Sequence, residues 1–71
     1  MHRYLIVIEP TESGFASYSP DLPGCIATGR TRPQVESTMR EAIQLHIDGL
    51  KAQGQPLPPA DTSATYVEVA A

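Results

Sequence analysis

A chain of 71 residues is long enough for one small domain and no more. A domain of this size buries only about 60% of the surface that its unfolded chain exposes, so its core is small. Apolar residues make up 41% of the sequence and charged residues 18%, which excludes intrinsic disorder and predicts a folded core. The net charge is -3, and only five residues are Lys or Arg. This argues against a dedicated nucleic-acid-binding protein, because the affinity of such a protein depends on Lys and Arg side chains that neutralise phosphates.

The cysteine count and the apolar runs bear on location. The single cysteine, Cys25, excludes an internal disulfide framework. The apolar run at residues 4–8 is too short for a signal peptide, and no stretch approaches the roughly 20 apolar residues that span a bilayer. We therefore expect a cytoplasmic protein without a membrane partner, organised as one domain over residues 1–71.

Three short strands are predicted before the helix. Residues 4–8 form the first, ended by Pro10, and its alternating side chains are apolar on both faces. The second strand covers residues 15–19 and the third residues 25–28. Between them Pro23 presets φ for the first central position of a turn, and Gly24 can take the positive φ of the second position. The pattern is typical of consecutive antiparallel strands.

One amphipathic helix follows, with a start signal and a stop signal. Thr31 is the predicted N-cap and Gln34 has the spacing of a capping box, while Pro33 is tolerated in the first turn. Gly54 is the predicted stop. Between them, apolar residues recur at three- and four-residue intervals and predict a stripe that packs on a sheet. The members of this stripe are Val35, Met39, Ala42, Ile43, His46, Ile47 and Leu50.

A proline-rich connector at residues 55–59 leads to a predicted fourth strand at residues 65–69. The predicted fold class is α+β, β-β-β-α-β, with one helix packed on a four-stranded mixed sheet. The right-handed crossover rule favours the sheet order 3-2-1-4, with strand one central. A single helix covers only one face of such a sheet, so the other face is expected to form an interface and the chain to self-associate.

Several segments together resemble one known family, the HicB-like antitoxins. The most specific is the turn formed by Pro20, Asp21, Leu22, Pro23, Gly24 and Cys25 within residues 14–25. It is followed at the matching distance by Gly29-Arg30-Thr31, residues 41–50 and residues 54–58. The chain is therefore identified from nearly its whole length as similar to the short UPF0150 members of that family.

The resemblance implies a partial RNase-H-like, double-stranded-RNA-binding-domain-like fold and a homodimer or tetramer. It also implies a role in masking a HicA-type mRNA interferase, a small toxin with a double-stranded-RNA-binding-domain fold and a catalytic His. Family members often continue into a ribbon-helix-helix or helix-turn-helix segment that binds promoter DNA. We expect no separate DNA-binding domain in this chain, and no direct DNA binding by it.

The residues that bear reactive groups favour structural roles. Cys25 has no His or Asp placed by the sequence to activate it, and a lone cysteine that opens a strand is usually a small buried hydrophobe. His46 falls inside the apolar stripe, where packing is the simpler interpretation, and His2 belongs to the terminus. Neither His has zinc-ligand spacing from the other or from Cys25, so no metal or cofactor is expected.

Three functional hypotheses follow, and the first is a non-enzymatic antitoxin that contacts its toxin through carboxylates. The candidate contacts are Glu9, Glu12 and Asp21 near the turns, and Glu41 and Asp48 on the outer helix face. The second is a metal-dependent RNase-H-like nuclease, for which Glu9 and Glu68 on adjacent strands are the best pair. The third is a solitary oligomeric domain that binds another protein or a small ligand.

Overall fold

The computed structural model describes residues 2–71 as a three-stranded antiparallel sheet covered by one helix. The strands are β1 (Val7–Pro10), β2 (Phe15–Tyr18) and β3 (Ile26–Gly29), in the order β1-β2-β3. The helix α1 (Arg32–Ala52) follows β3 and lies mainly over β2 and β3. The predicted α+β class and the order of the first four elements are confirmed, with strand boundaries displaced by at most three residues.

The strand register assigns each side chain to one of two faces. Residues directly opposite one another on neighbouring strands share a face. Tyr18 lies opposite Val7 and Ile26, whereas Ser17 lies opposite Ile8 and Ala27. Ser17 is only 3% exposed and Ile26 is 72% exposed. The Ser17 face therefore packs against α1, and the Tyr18 face is open.

Both ends of α1 carry the caps that the sequence predicts. The Oγ1 of Thr31 accepts a hydrogen bond from the backbone N–H of Gln34 at 3.2 Å, and the Oε1 of Gln34 accepts one from the N–H of Arg30 at 2.7 Å. At the other end, Gly54 has a φ of 69° and its N–H bonds to the carbonyl of Lys51, while the next N–H bonds to Leu50. These bonds form a Schellman motif, which satisfies the last carbonyls of the helix.

A close approach between backbones docks the helix on the sheet. A Cβ added to Gly29 would lie 2.9 Å from the backbone nitrogen of Val35, which is fully buried in the first turns of α1. A Cβ on Gly14, at the end of the β1–β2 turn, would clash with the carbonyl oxygen of Gly29. Both positions therefore require glycine for reasons of space, and they bring the hairpin, β3 and α1 together.

The core is small and includes the β2–β3 connection. Leu22 and Met39 are fully buried, and together with Cys25 and Ile47 they form one cluster. Full burial of a side chain such as Leu or Met contributes roughly 1.5–3 kcal/mol. Half-buried apolar residues surround the cluster, and these are Tyr4, Ile6, Ala27, Ile43, Leu50 and Leu57.

The prediction of a four-stranded sheet in the order 3-2-1-4 is not confirmed. Residues 65–69 belong to no strand of the described sheet, and Tyr66, Val67 and Val69 are exposed. The alternation of these residues predicts a strand, but the described sheet pairs them with no neighbouring strand. In this structure β1 is consequently an edge strand, paired only with β2.

The close packing at Gly29 predicts opposite effects for two glycine substitutions. Gly29→Ala forces its new methyl group against the Val35 backbone, and we expect it to lower the free energy of unfolding by about 1–3 kcal/mol. Gly49→Ala is the matched control, because nothing lies within 4 Å of its added Cβ in α1. It should raise the free energy of unfolding by about 0.5–1 kcal/mol through helix propensity. Urea denaturation measures both, and equal effects would contradict the packing argument.

Two serines of equal burial provide a second comparison. Ser17 and Ser19 are each 3% exposed. The Oγ of Ser19 donates a 2.9 Å hydrogen bond to the carbonyl of Leu5, whereas within residues 2–71 the Oγ of Ser17 has no partner. Ser19→Ala should therefore lower the free energy of unfolding by about 1 kcal/mol or more, while Ser17→Ala should leave it unchanged or raise it. A larger loss for Ser17→Ala in thermal unfolding would refute this assignment.

Candidate protein-binding surface

The segment that carries the family resemblance folds as two successive tight turns. The N–H of Leu22 bonds to the carbonyl of Ser19 at 3.2 Å, and the N–H of Cys25 bonds to the carbonyl of Leu22 at 3.1 Å. Gly24 has a φ of 89°, so Pro23 and Gly24 occupy the central positions of a type II turn, as predicted. The segment reverses the chain between β2 and β3.

The side chains of this segment serve mainly to hold it on the core. Leu22 and Cys25 point into the apolar cluster, with exposures of 0% and 5%. Burial raises the pKa of the Cys25 thiol, because desolvation disfavours the thiolate. A protonated, buried thiol is a poor nucleophile, so Cys25 acts as a small apolar residue.

Asp21 links the segment to a distant part of the chain. Its Oδ2 accepts a hydrogen bond from the backbone N–H of Thr62 at 3.0 Å, and its Oδ1 accepts one from the Thr62 hydroxyl at 2.6 Å. An Asp in such a turn usually caps nearby backbone N–H groups. The hydrogen-bond partner of Asp21 instead lies 41 residues away in the sequence. Both oxygens of Asp21 are therefore engaged within the chain, which weakens its case as a partner contact.

The three acidic residues near the turns do not form one group. Glu9 lies in β1 and Glu12 in the β1–β2 turn, and both are exposed. Asp21 lies in the β2–β3 connection, which is at the opposite end of β2 because consecutive antiparallel connections alternate ends. The four residues of β2, which span about 13 Å, lie between the turn that contains Glu12 and the connection that contains Asp21. Glu9 and Glu12 remain neighbours.

The other two acidic candidates lie on the outer surface of α1. Glu41 and Asp48 are exposed and are seven residues apart, which places them on one side of the helix. Asp48 accepts a hydrogen bond from the side-chain amide of Gln44 at 2.9 Å. Leu45 lies between them and is 76% exposed. This stripe is polar, with a single apolar side chain.

The open face of the sheet carries a continuous apolar patch. Val7, Tyr18 and Ile26 lie side by side across the three strands, and we call them the open-sheet patch. Tyr18 is 43% exposed and Ile26 is 72% exposed. They border a groove of about 520 Å³ that Glu9 and Thr28 also line. An apolar centre with a polar margin is the usual composition of a protein-binding site.

The sequence pattern predicts an uncovered face of the sheet but indicates it for strand one alone. It misses the contribution of Tyr18 and Ile26, which share that face only because of the pairing register of β2 and β3. Alternation within residues 15–18 identifies Tyr18 as facing away from Ser17. The sequence of one strand does not indicate which residue of the neighbouring strand lies opposite Tyr18.

The groups needed for the nuclease hypothesis are not brought together. Glu9 is in β1, whereas Glu68 is in the exposed C-terminal residues and belongs to no strand. Among the described residues, no group of three or more His, Cys, Asp or Glu is arranged to hold a metal ion. His46 is half-buried on α1, and the His2 ring stacks on that of Tyr4 with centroids 6.2 Å apart.

The helix α1 does not have the combination of length and apolar character that a membrane span requires.

Comparison with proteins of known sequence gives a consistent family. Residues 4–70 match the family described as HicB_like antitoxin of bacterial toxin-antitoxin system. An uncharacterised protein of Haemophilus phage HP1 is 33% identical over 64 residues, covering 90% of this chain and 48% of the phage protein. A UPF0150 protein of Thermoplasma acidophilum is 32% identical over 57 residues, covering 79% of this chain and 83% of that protein. The chain thus spans about half the length of the phage relative.

A solved structure agrees in both fold and sequence. A chain from a structure described as a HicA3 and HicB3 toxin-antitoxin complex superposes with a TM-score of 0.68 and 38% identity. The alignment covers 83% of this chain and 70% of the other. With the family match extending over residues 4–70, the chain belongs to the HicB-like antitoxin family of bacterial toxin-antitoxin systems.

Proposed function

We propose that this chain acts as an antitoxin that neutralises a HicA-type mRNA interferase by direct binding. The observation that carries the proposal is the similarity, at 38% identity, to a chain from a HicA3 and HicB3 toxin-antitoxin complex. Membership of the HicB-like antitoxin family supports the same role. Binding, with no chemistry of its own, is sufficient for such a role, and a cytoplasmic location follows because the toxin acts on transcripts there.

Electrostatics supplies a physical basis for inhibition. A protein that binds RNA presents cationic groups to phosphates, and a partner with a net charge of -3 is attracted to the same groups. The antitoxin then competes with RNA for those cations and does not need to alter the fold of the toxin. Charge complementarity of this kind also accelerates association, because it steers the two proteins before contact.

We place the toxin contact on the open-sheet patch and its acidic margin. Tyr18 supplies a large amphipathic side chain of the type enriched at the energetic centre of interfaces, and Val7 and Ile26 extend the apolar area around it. Glu9 lines the same groove, and Glu12 lies in the adjoining turn. The stripe of Glu41 and Asp48 on α1 offers charge but only Leu45 as an apolar contact, so it is the weaker candidate.

The two acidic groups make this placement testable by charge reversal. Glu9→Lys combined with Glu12→Lys should raise the Kd for the cognate toxin by about tenfold or more, without steepening the salt dependence of binding. Ile26→Ala should weaken binding to a similar extent, since it removes apolar contact area. Glu41→Lys with Asp48→Lys is the matched control, with the same change of charge, and should have little effect. Titration calorimetry with the purified toxin measures all of these values.

The outcomes of this experiment separate the alternatives. Loss of binding only in the Glu41 and Asp48 variant would move the interface to the outer face of α1. Co-expression of the chain should rescue cells from the cognate toxin. If the chain neither binds nor inhibits any HicA-like product of its own genome, the antitoxin proposal is wrong. A solitary protein- or ligand-binding domain would then be the better account.

A further prediction concerns nuclease activity. Because Glu9 and Glu68 are not on paired strands of the described chain, we expect no cleavage of RNA, DNA or hybrid substrates in Mg²⁺ or Mn²⁺. Gel assays at high protein concentration provide the measurement. Turnover by the purified chain that disappears in Glu9→Gln or Glu68→Gln would overturn this prediction and would restore the RNase-H-like hypothesis.

A further inference from the structure

Two of the five cations in this acidic chain lie around a single cavity. Arg3, from the residues that precede β1, and Arg40 of α1 line a cavity of about 400 Å³ between the N-terminal residues and the helix. All eight Asp and Glu of the chain lie within residues 2–71, and of these only Glu36 lines the cavity. The cavity thus has two cationic side chains against one carboxylate, the reverse of the balance in the whole chain. A concave surface of this sign attracts an anionic ligand.

The floor of the cavity is apolar and belongs to the folded core. Ile6 and Ile43 line it, and both are half-buried side chains that pack against the core cluster. Arg3 and Arg40 are exposed at its margin. An apolar pocket with a few polar groups that converge on it is the usual composition of a small-molecule site, and such sites measure about 300–1,000 Å³.

Two aromatic rings stand at the N-terminal side of the cavity. His2 and Tyr4 line it, their ring planes are inclined by 18° and their centroids lie 6.2 Å apart. The hydroxyl of Tyr4 donates a 2.7 Å hydrogen bond to the carbonyl of Pro58, which fixes the orientation of that ring. Every nucleobase has a π-face that can stack on an aromatic side chain. The rings therefore offer a site for a planar group beside the two arginines.

We propose that this cavity binds a nucleoside monophosphate, either as a free nucleotide or as the 5′-phosphorylated end of an RNA strand. The planar guanidinium groups of Arg3 and Arg40 match pairs of phosphate oxygens. The base stacks on the rings of His2 and Tyr4, and the carboxylate of Glu36 accepts a hydrogen bond from a ribose hydroxyl.

Only a ligand that combines an anion with a planar group uses both parts of the cavity. An inorganic anion would contact the arginines without the rings, and an uncharged nucleoside would contact the rings without the arginines. A single phosphate group requires only the two arginines of the cavity. The proposal therefore agrees with the small number of cations in the chain, which argues against binding along a nucleic-acid backbone.

The cavity is separate from the surface proposed to bind the toxin. Ile6 and Ile43 pack against the core, whereas the open-sheet patch faces away from it. Among residues 2–71, none lines both the cavity and the groove at that patch. The experiments below use the purified chain without toxin. Their failure would remove the nucleotide site without affecting the antitoxin proposal, and loss of toxin binding would not affect the nucleotide site.

The first test compares three ligands by NMR titration of the ¹⁵N-labelled chain. AMP should bind with a Kd below about 1 mM, whereas inorganic phosphate and adenosine should each bind at least about fivefold more weakly because each lacks part of the contacts. The amides that shift should lie mainly within residues 2–6 and 36–44. A Kd for phosphate equal to that for AMP, shifts centred elsewhere, or no saturation at about 10 mM AMP would overturn the proposal.

The second test changes the charges around the cavity. Arg40→Gln should raise the Kd for AMP at least about tenfold, and Arg30→Gln is the matched control, because Arg30 does not line the cavity and should change the Kd less than about twofold. Glu36→Gln should lower the Kd for inorganic phosphate about twofold or more, since it removes a repelling charge. Equal effects of the two arginine variants would indicate attraction to the overall charge and would overturn the site. Helical circular dichroism verifies that each variant remains folded.

The third test addresses the aromatic rings. His2→Ala should raise the Kd for AMP at least about fivefold and leave the Kd for inorganic phosphate within about twofold. His2→Phe keeps an aromatic ring at the same position and should retain AMP binding. Equal losses of AMP and phosphate binding in His2→Ala would contradict stacking of the base.

A final comparison distinguishes the two sources of the ligand. A 5′-phosphorylated adenosine trinucleotide is titrated under the same conditions as AMP. If it binds at least as tightly and shifts the same amides, the ligand is the end of an RNA strand. If it binds more weakly than AMP, the ligand is the free nucleotide, and failure of both to bind overturns the proposal.

Discussion

The architecture depends on how closely one helix can approach a three-stranded sheet. Gly29 allows the backbone of Val35 to lie where a side chain would otherwise stand, and Gly14 allows the hairpin to meet the same point. This approach positions α1 so that Met39 and Ile47 reach Leu22 and Cys25. With so few fully buried side chains, a small displacement of the helix would open cavities in most of the core. The position of α1 on the sheet therefore depends on that contact.

The segment that makes the family recognisable is separate from the surface proposed to bind. Leu22 and Cys25 are buried, Gly24 requires a positive φ, and Asp21 is bonded to Thr62. In each case a requirement of folding is sufficient to explain which residue stands at that position. The open-sheet patch consists of ordinary strand residues at exposed positions. A short motif can therefore identify the family reliably while giving no information about the contact surface.

Features determined by neighbours in sequence could be predicted, and features determined by distant pairing could not. The Thr31 cap, the Gly54 stop and the turn at Pro23 and Gly24 depend on residues within one turn of each other, and the structure contains all three. The bond from Asp21 to Thr62 joins residues 41 apart, and no local pattern encodes it. Alternation at residues 65–69 indicates an extended backbone without naming the neighbouring strand. The open-sheet patch likewise depends on pairing register.

The connector that follows α1, at residues 55–59, constrains the length of the chain. Prolines at positions 56, 58 and 59 fix φ near about -65°, and Tyr4 holds the carbonyl of Pro58. Such a segment acts as a spacer, in which each residue contributes about 3.1 Å and about a third of a turn. Insertion or deletion of one residue would therefore change both the reach of the following chain and the direction in which its side chains point. Most surface loops absorb such changes readily, whereas this one transmits them to everything that follows it.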